Sequence, residues 1–262
     1  MEIFGIALWR ITLIIVLIFI VVKRANLVAI VAKWKYNHRD YQGAAKVFKI
    51  ANTIGNLSIA NQILMGYNYL RCGNVEQARV TLNRVMLLTK RGSADRFQAK
   101  SILALAEWKG GNLEDAIELL EEVMEDGYKN TVIYQNLGVL YNIQGDAEKA
   151  IRFSEEAKEY NSDDNIIMDN LADAYALAGD YQKAAEIYEE LVNREEPPRF
   201  PEAYYGYGKV LVQLGEKERG LEMIKKSLEK PFTFLSVRPK EEIEELYASL
   251  SRDEGQTTAA AE

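Results

Sequence analysis

The sequence has one cysteine, one histidine and five prolines in 262 residues, and each scarcity removes a class of protein. A lone Cys72 cannot close an intrachain disulfide, and with His38 as the only imidazole no Cys/His zinc cluster can be assembled. Also missing are a glycine-rich phosphate loop, a nucleophile elbow and a histidine-based metal motif. The expectation is a protein that is not an enzyme, with no cofactor, no metal site and no small-molecule substrate. Carboxylates are abundant, as in Glu114-Asp115, Glu121-Glu122 and Glu155-Glu156, but neighbours on a helix point in different directions, so a solvated face is expected. The stretch Asp163-Asp164-Asn165, with Asp169 and Asp173 beyond it, lacks the alternating ligands, glycine and final glutamate of a calcium loop. It reads as a turn entering a helix.

Basic residues are scarce after residue 50. Residues 1–50 hold eight Lys/Arg against two Asp/Glu, and the remainder holds 24 against 37. So acidic a domain, without a basic patch, excludes nucleic acid as its expected partner.

What is present begins with a long apolar run. Residues 3–22 are apolar apart from Arg10 and Thr12, and about 20 helical residues span a hydrocarbon layer of about 30 Å. A transmembrane anchor over residues 1–24 is expected. A cleaved signal peptide would need a basic start and a small-residue cleavage site, which this stretch does not offer. A buried core helix is the weaker alternative, because Ile11 to Val22 is apolar on all faces whereas every later helix of the sequence is amphipathic. Arg10 either snorkels to the N-terminal interface or meets a partner inside the membrane. Lys23, Arg24, Lys33, Lys35 and Arg39 follow the run, which predicts a single-pass protein with its N-terminus outside and its C-terminal domain cytoplasmic.

Beyond the run the sequence repeats. Arg39, Gly73, Gly111, Gly145, Gly179 and Gly215 stand in equivalent places, 34, 38, 34, 34 and 36 residues apart. The excesses fall at Gly92-Ser93-Ala94-Asp95 and at residues 197–201, which hold three of the five prolines. Seven residues before each turn stands a small residue: Ala32, Gly66, Ala104, Gly138, Ala172 or Gly208. Five residues after it stands another: Ala44, Ala78, Ala116, Ala150, Ala184 or Gly220. The pattern predicts two helices per repeat whose backbones approach closely. Large groups such as Leu137, Leu171, Tyr141, Tyr175, Leu82 and Tyr188 recur beside these positions at helical spacing. Glycine ends one helix, and Asn74, Asn112, Asp146 or Asp180 can cap the next.

In Tyr134…Leu137-Gly138…Tyr141…Ala150…Ala157 and in Leu171-Ala172…Tyr175…Ala184…Tyr188 the chain resembles the tetratricopeptide repeat family. The resemblance covers residues 25–234. With the apolar run read as a transmembrane helix, it implies an all-α fold: a right-handed solenoid of about six hairpins, the first a divergent hairpin or linker at 25–58 and the others over 59–234, then a C-terminal capping helix at 235–250. Three positions depart from the pattern: Lys35 stands for a tyrosine, Ser154 for an aromatic and Gly220 for alanine. Residues 26–37 are read either as helix A of the first hairpin or as a continuation of the anchor or a linker. Pro239 opens the last helix, whose stripe of Ile243, Leu246, Tyr247 and Leu250 is expected to dock on the last hairpin. Residues 251–262 are expected to be disordered.

The resemblance also implies a function. In that family the first helices of successive hairpins line a concave groove for an extended peptide or a partner helix. The matching positions are Tyr67, Arg71, Ser101, Leu105, Trp108, Lys109, Gln135, Val139, Asn142, Asp169, Asp173, Tyr205 and Lys209, with packing between hairpins as the alternative role of Tyr67, Trp108 and Tyr205. Family members that clamp the terminal carboxylate of chaperones carry a set of Lys, Asn and Arg that these positions do not reproduce. The expectation is a membrane-tethered scaffold for protein or peptide partners. The alternative is the same solenoid outside the cytoplasm, assisting assembly or turnover of envelope proteins.

Overall fold

A computed structural model describes the backbone of residues 2–259 and the side chains of residues 9–252. Among the described residues it has thirteen α-helices and no strand. The chain divides into two units, residues 1–110 and 111–262.

The first unit contains α1 (Glu2–Asn37), α2 (Tyr41–Ile54), α3 (Ile59–Arg71), α4 (Val75–Leu88) and α5 (Ala94–Lys109). No proline interrupts α1, which runs unbroken for 36 residues, about 54 Å. Its side chains from Trp9 to Arg24 are exposed all round. From there one face turns inward: Ala25, Ala29 and Ala32 pack on Ala44, Phe48 and Ala51 of α2. The either/or reading of residues 26–37 is thus resolved as both. They continue the apolar helix and form helix A of the first hairpin, and three alanines at helical spacing are what let α2 come close.

The turn of this hairpin shows what Arg39 replaces. Gly73, Gly111, Gly145, Gly179 and Gly215 all have positive φ, between 77° and 90°, and Arg39 is at 62°, the one such non-glycine among the described residues. A side chain is strained there. Flanking bonds hold it: Lys35 Nζ pairs with Asp40 at 2.6 Å, and Asp40 Oδ1 accepts from Gly43 N at 2.8 Å as the cap of α2. Lys35, which departs from the family's tyrosine, therefore fastens the departing turn.

The second unit contains α6 (Leu113–Glu125), α7 (Thr131–Gln144), α8 (Ala147–Tyr160), α9 (Asn165–Leu177), α10 (Tyr181–Val192), α11 (Pro201–Gln213), α12 (Lys217–Leu228) and α13 (Lys240–Ala259). Asp146 and Asp180 cap α8 and α10 as expected, whereas Asn74 and Asn112 make no side-chain cap bond.

All eight alanines of the small-residue pattern are fully buried. The glycines serve closer contacts. A Cβ on Gly66 would lie 2.8 Å from Leu82 Cδ2 in the same hairpin, and Gly208 and Gly220 face one another so tightly that a Cβ on either would meet the other's carbonyl at 2.7 Å. That is why glycine stands at 220. Gly138 works differently from expectation: its added Cβ would meet Asn170 Nδ2 at 2.6 Å, on the next hairpin rather than its own.

The acidic pairs are not simply a solvated face. Tyr141 Oη donates to Glu121 at 2.7 Å, and Lys149 Nζ reaches the same carboxylate at 2.9 Å while lying over the Tyr141 ring. Thirty-four residues on, Tyr175 donates to Glu155 and Lys183 lies 3.8 Å above the Tyr175 ring. Glu156 accepts from Tyr134 at 2.8 Å. Each of these tyrosines buries its ring and keeps its hydroxyl on a carboxylate of the preceding hairpin or its own.

At the end of the unit Ile243 of α13 is buried against Tyr205 and Ile224, with Leu246, Tyr247 and Leu250 beside it. Fully burying such an isoleucine contributes about 1.5–3 kcal/mol. The expected docking of this helix is therefore present. It also continues beyond Leu250 to Ala259, where a disordered tail was expected, because extending a formed helix is easier than starting one. Residues 260–262 of that expected tail lie outside the described residues.

Candidate partner-binding groove

In the first unit the six positions fall into two groups. Tyr67 and Arg71, on α3, are half-buried, and Arg71 is surrounded. Its Nη2 donates to Tyr41 Oη at 3.0 Å, and its guanidinium carbon lies 4.4 Å from the Tyr41 ring and 5.9 Å from the Tyr67 ring. Tyr36 completes the group, with its ring centroid 5.4 Å from Tyr41 and 6.4 Å from Tyr67. Burial pushes the Tyr36 phenol above its ordinary pKa. Tyr67 and Arg71 thus touch the first hairpin through Tyr36 and Tyr41. On α5, Ser101 is buried with its hydroxyl on Phe97 O at 2.7 Å. Leu105, Trp108 and Lys109 are partly exposed, and the Lys109 ammonium lies 4.0 Å from the Trp108 ring centroid.

In the second unit α7 and α9 are laced by amides. Gln135 Nε2 donates to Asp164 at 2.8 Å, Asn142 Nδ2 to Asn170 O at 2.8 Å, and Asn170 Nδ2 back to Gln135 O at 2.9 Å. Gln135 and Asn142 thus spend donors on holding two hairpins in register, and Val139 lies half-buried between them in sequence. Asp169, Asp173, Tyr205 and Lys209 form a second neighbourhood on α9 and α11. Asp169 and Asp173 are one helical turn apart, and Tyr188 of α10, fully buried, donates its hydroxyl to Asp173. Lys209 Nζ is 5.5 Å from the Tyr205 ring centroid.

Three residues belong here that the repeat pattern did not single out. Glu202, one turn before Gly206 on α11, accepts from Val237 N at 2.9 Å. Arg238 lies 5.5 Å from the Tyr205 ring and pairs with Glu242. Gly206 leaves the room that the Tyr188–Asp173 bond occupies, since a Cβ there would collide with the Tyr188 hydroxyl. A glycine outside the repeat pattern was a usable signal for Gly206. Arg238 had none, because it sits in the segment between α12 and α13.

The electrostatics of the two neighbourhoods are opposite. Burial drives the Asp169 carboxyl well above the usual carboxylate range, and the charges of Asp173 and Glu202 drive it further. Burial raises Asp173 as well, though the Tyr188 hydroxyl, Lys209 and Arg238 pull it back. Arg71, by contrast, is met by ring faces and hydroxyls.

Two sequence models described as tetratricopeptide repeat match the chain, one over residues 130–194 and one over 169–230. Among solved structures, a tetratricopeptide repeat protein of Parabacteroides merdae is similar with a TM-score of 0.72 at 19% identity, covering 87% of this chain and 85% of the other. TTC0263, a thermophilic protein of the same description from Thermus thermophilus, is similar with a TM-score of 0.59 at 18% identity, covering 74% and 98%. At these identities the likeness concerns the fold. None of the curated proteins matches the sequence.

Proposed function

We propose, from the premise that the chain belongs to the tetratricopeptide repeat family, that it is a membrane-tethered scaffold whose first helices recruit protein or peptide partners. Helical hairpins of this kind bind partners through side chains on an inner face, and the partly exposed Trp108 with Lys109 beside it suits an extended segment with an anchor residue.

The observation that carries the tether is the continuity of α1. One helix is apolar and exposed from Trp9 to Val22 and then, without a break, supplies the core of the first hairpin. By length and composition it is the one helix among the described residues able to cross a membrane. Removal of residues 1–24 as a signal peptide would cut this helix where Arg24 donates to Ile54 O and Ala25 packs against Gly55. Retention is therefore favoured, and with it a scaffold held at the bilayer surface, where the local concentration of membrane-bound partners is raised.

Cross-linking in the native membrane, with captured proteins identified by mass spectrometry, tests the reading. Specific partners lost in Trp108→Ala while helicity is kept support the groove, and an unchanged capture overturns it. Topology is read separately with Gly255→Cys in a Cys72→Ser background. A cytoplasmic domain leaves the thiol unlabelled by an impermeant reagent in intact cells, and labelling moves the scaffold to the envelope side.

A further inference from the structure

Asp169 is 4% exposed, its Oδ1 is buried without a hydrogen-bond partner, and the charges that act on it, from Asp173 and Glu202, have its own sign. A carboxylate in that position is costly unless something positive meets it. We propose that the inner face of α9 and α11 is a pocket for one cationic side chain, the guanidinium of an arginine or the ammonium of a lysine, presented by an extended segment of a partner protein. Asp169 is its floor, Asp173 and Glu202 flank it, and Tyr205 is its flat wall. The assignment rests on the reading of these faces as partner-binding and names the chemistry they select.

The surrounding bonds fit this assignment. Asp173 is held by Tyr188, and Glu202 by the amide of Val237, so two carboxylates are fixed in place before any ligand arrives. The Tyr205 ring already has two cations near it, Lys209 and Arg238, each 5.5 Å from its centroid, which shows that its face accepts them. Lys209 and Arg238 act on Asp173, and Arg238 is further tied to Glu242, so neither answers Asp169. An organic cation fits better than a metal ion, since among the described residues no three metal-ligating side chains converge closely enough to hold one. Burial disfavours the charged form of an unanswered Asp169, and an arriving guanidinium meets that carboxylate with two directed donors.

The full-length protein in detergent micelles can be tested on an array of extended octapeptides, randomised except for a central position fixed as arginine, lysine, citrulline or leucine. The expected result is selection of arginine or lysine over citrulline, with a loss of about tenfold in affinity for the cationic peptides in Asp169→Asn and no loss for the others. Glu202→Gln should weaken the same preference while leaving helicity unchanged. Peptides that bind with no preference for a cation, or a preference that survives in Asp169→Asn, overturn the pocket and leave the groove standing. An array with no binders at all overturns the groove and the pocket with it.

Discussion

Arg71 in the first unit and Asp169 in the second pose the same physical problem, a charged side chain drawn out of water on the first helix of a hairpin, and they meet opposite solutions. Tyr36, Tyr41 and Tyr67 close around Arg71, and one hydroxyl bonds it. Asp169 is given two more carboxylates and no donor. Both residues stand at groove positions of the repeat, so position alone does not separate a residue that joins hairpins from one that waits for a ligand. Its inventory of partners does. A satisfied charge is a structural rivet, whereas a buried unsatisfied one costs stability that binding can return.

The comparison is sharpest where its supports can be removed. Gly206→Ala should have the largest effect, because the new methyl collides with the Tyr188 hydroxyl and forces apart the buried bond to Asp173. Overpacking together with a broken buried hydrogen bond predicts a loss of about 2–4 kcal/mol, read as a lower midpoint in urea by circular dichroism. A midpoint equal to wild type would mean that Tyr188 does not hold the acidic neighbourhood together. Arg71→Met comes next. It keeps an apolar stem among the rings but deletes the bond to Tyr41 and the cation–π contacts, for an expected loss of about 1–2 kcal/mol by the same measurement. If Arg71→Met is instead neutral in stability and abolishes partner capture, the two charges have exchanged roles and the contrast fails.

Much of the fold could be read from the sequence because hairpin stacking leaves a periodic trace. Twelve small positions at fixed offsets from a turn predicted where backbones approach, and the left-handed turns include Arg39, which only its register identified. Less was legible where one residue answers to two neighbours. Gly138 fits the hairpin pattern, yet the group it makes room for is Asn170 of the next hairpin. Glu121 and Glu155 look like solvent-facing acids, because the tyrosine hydroxyls that meet them are 20 residues away in sequence and recur only in register with the repeat. The groove was the least legible part. The resemblance to the repeat family assigned Asp169 and Ser101 to an inner face, but whether a side chain there is spent depends on the bonds it makes: Ser101 donates to Phe97 O within α5, and Asp169 Oδ1 accepts nothing. Arg238 and Val237, which border the acidic neighbourhood, come from a non-repeating segment on which periodicity is silent.

The smallest expected effect is also the one with the clearest sign. Asp169→Asn removes the carboxyl that burial, Asp173 and Glu202 hold above the ordinary value of 3.8. A carboxyl whose folded pKa is raised binds its proton more tightly in the folded state than in the unfolded one. Its stabilising contribution is therefore fully present below the unfolded value and is lost as pH rises from there through the folded value. At neutral pH the wild type bears this cost and the variant does not, so Asp169→Asn should be more stable by about 1 kcal/mol or more at pH 7 and should lose that advantage near pH 3. Urea midpoints of both proteins across this range decide it. A difference that shrinks as the pH falls is what an unanswered buried acid produces. A variant that is less stable at pH 7 would mean that Asp169 already has a cation in solution, and the contrast with Arg71 would then disappear.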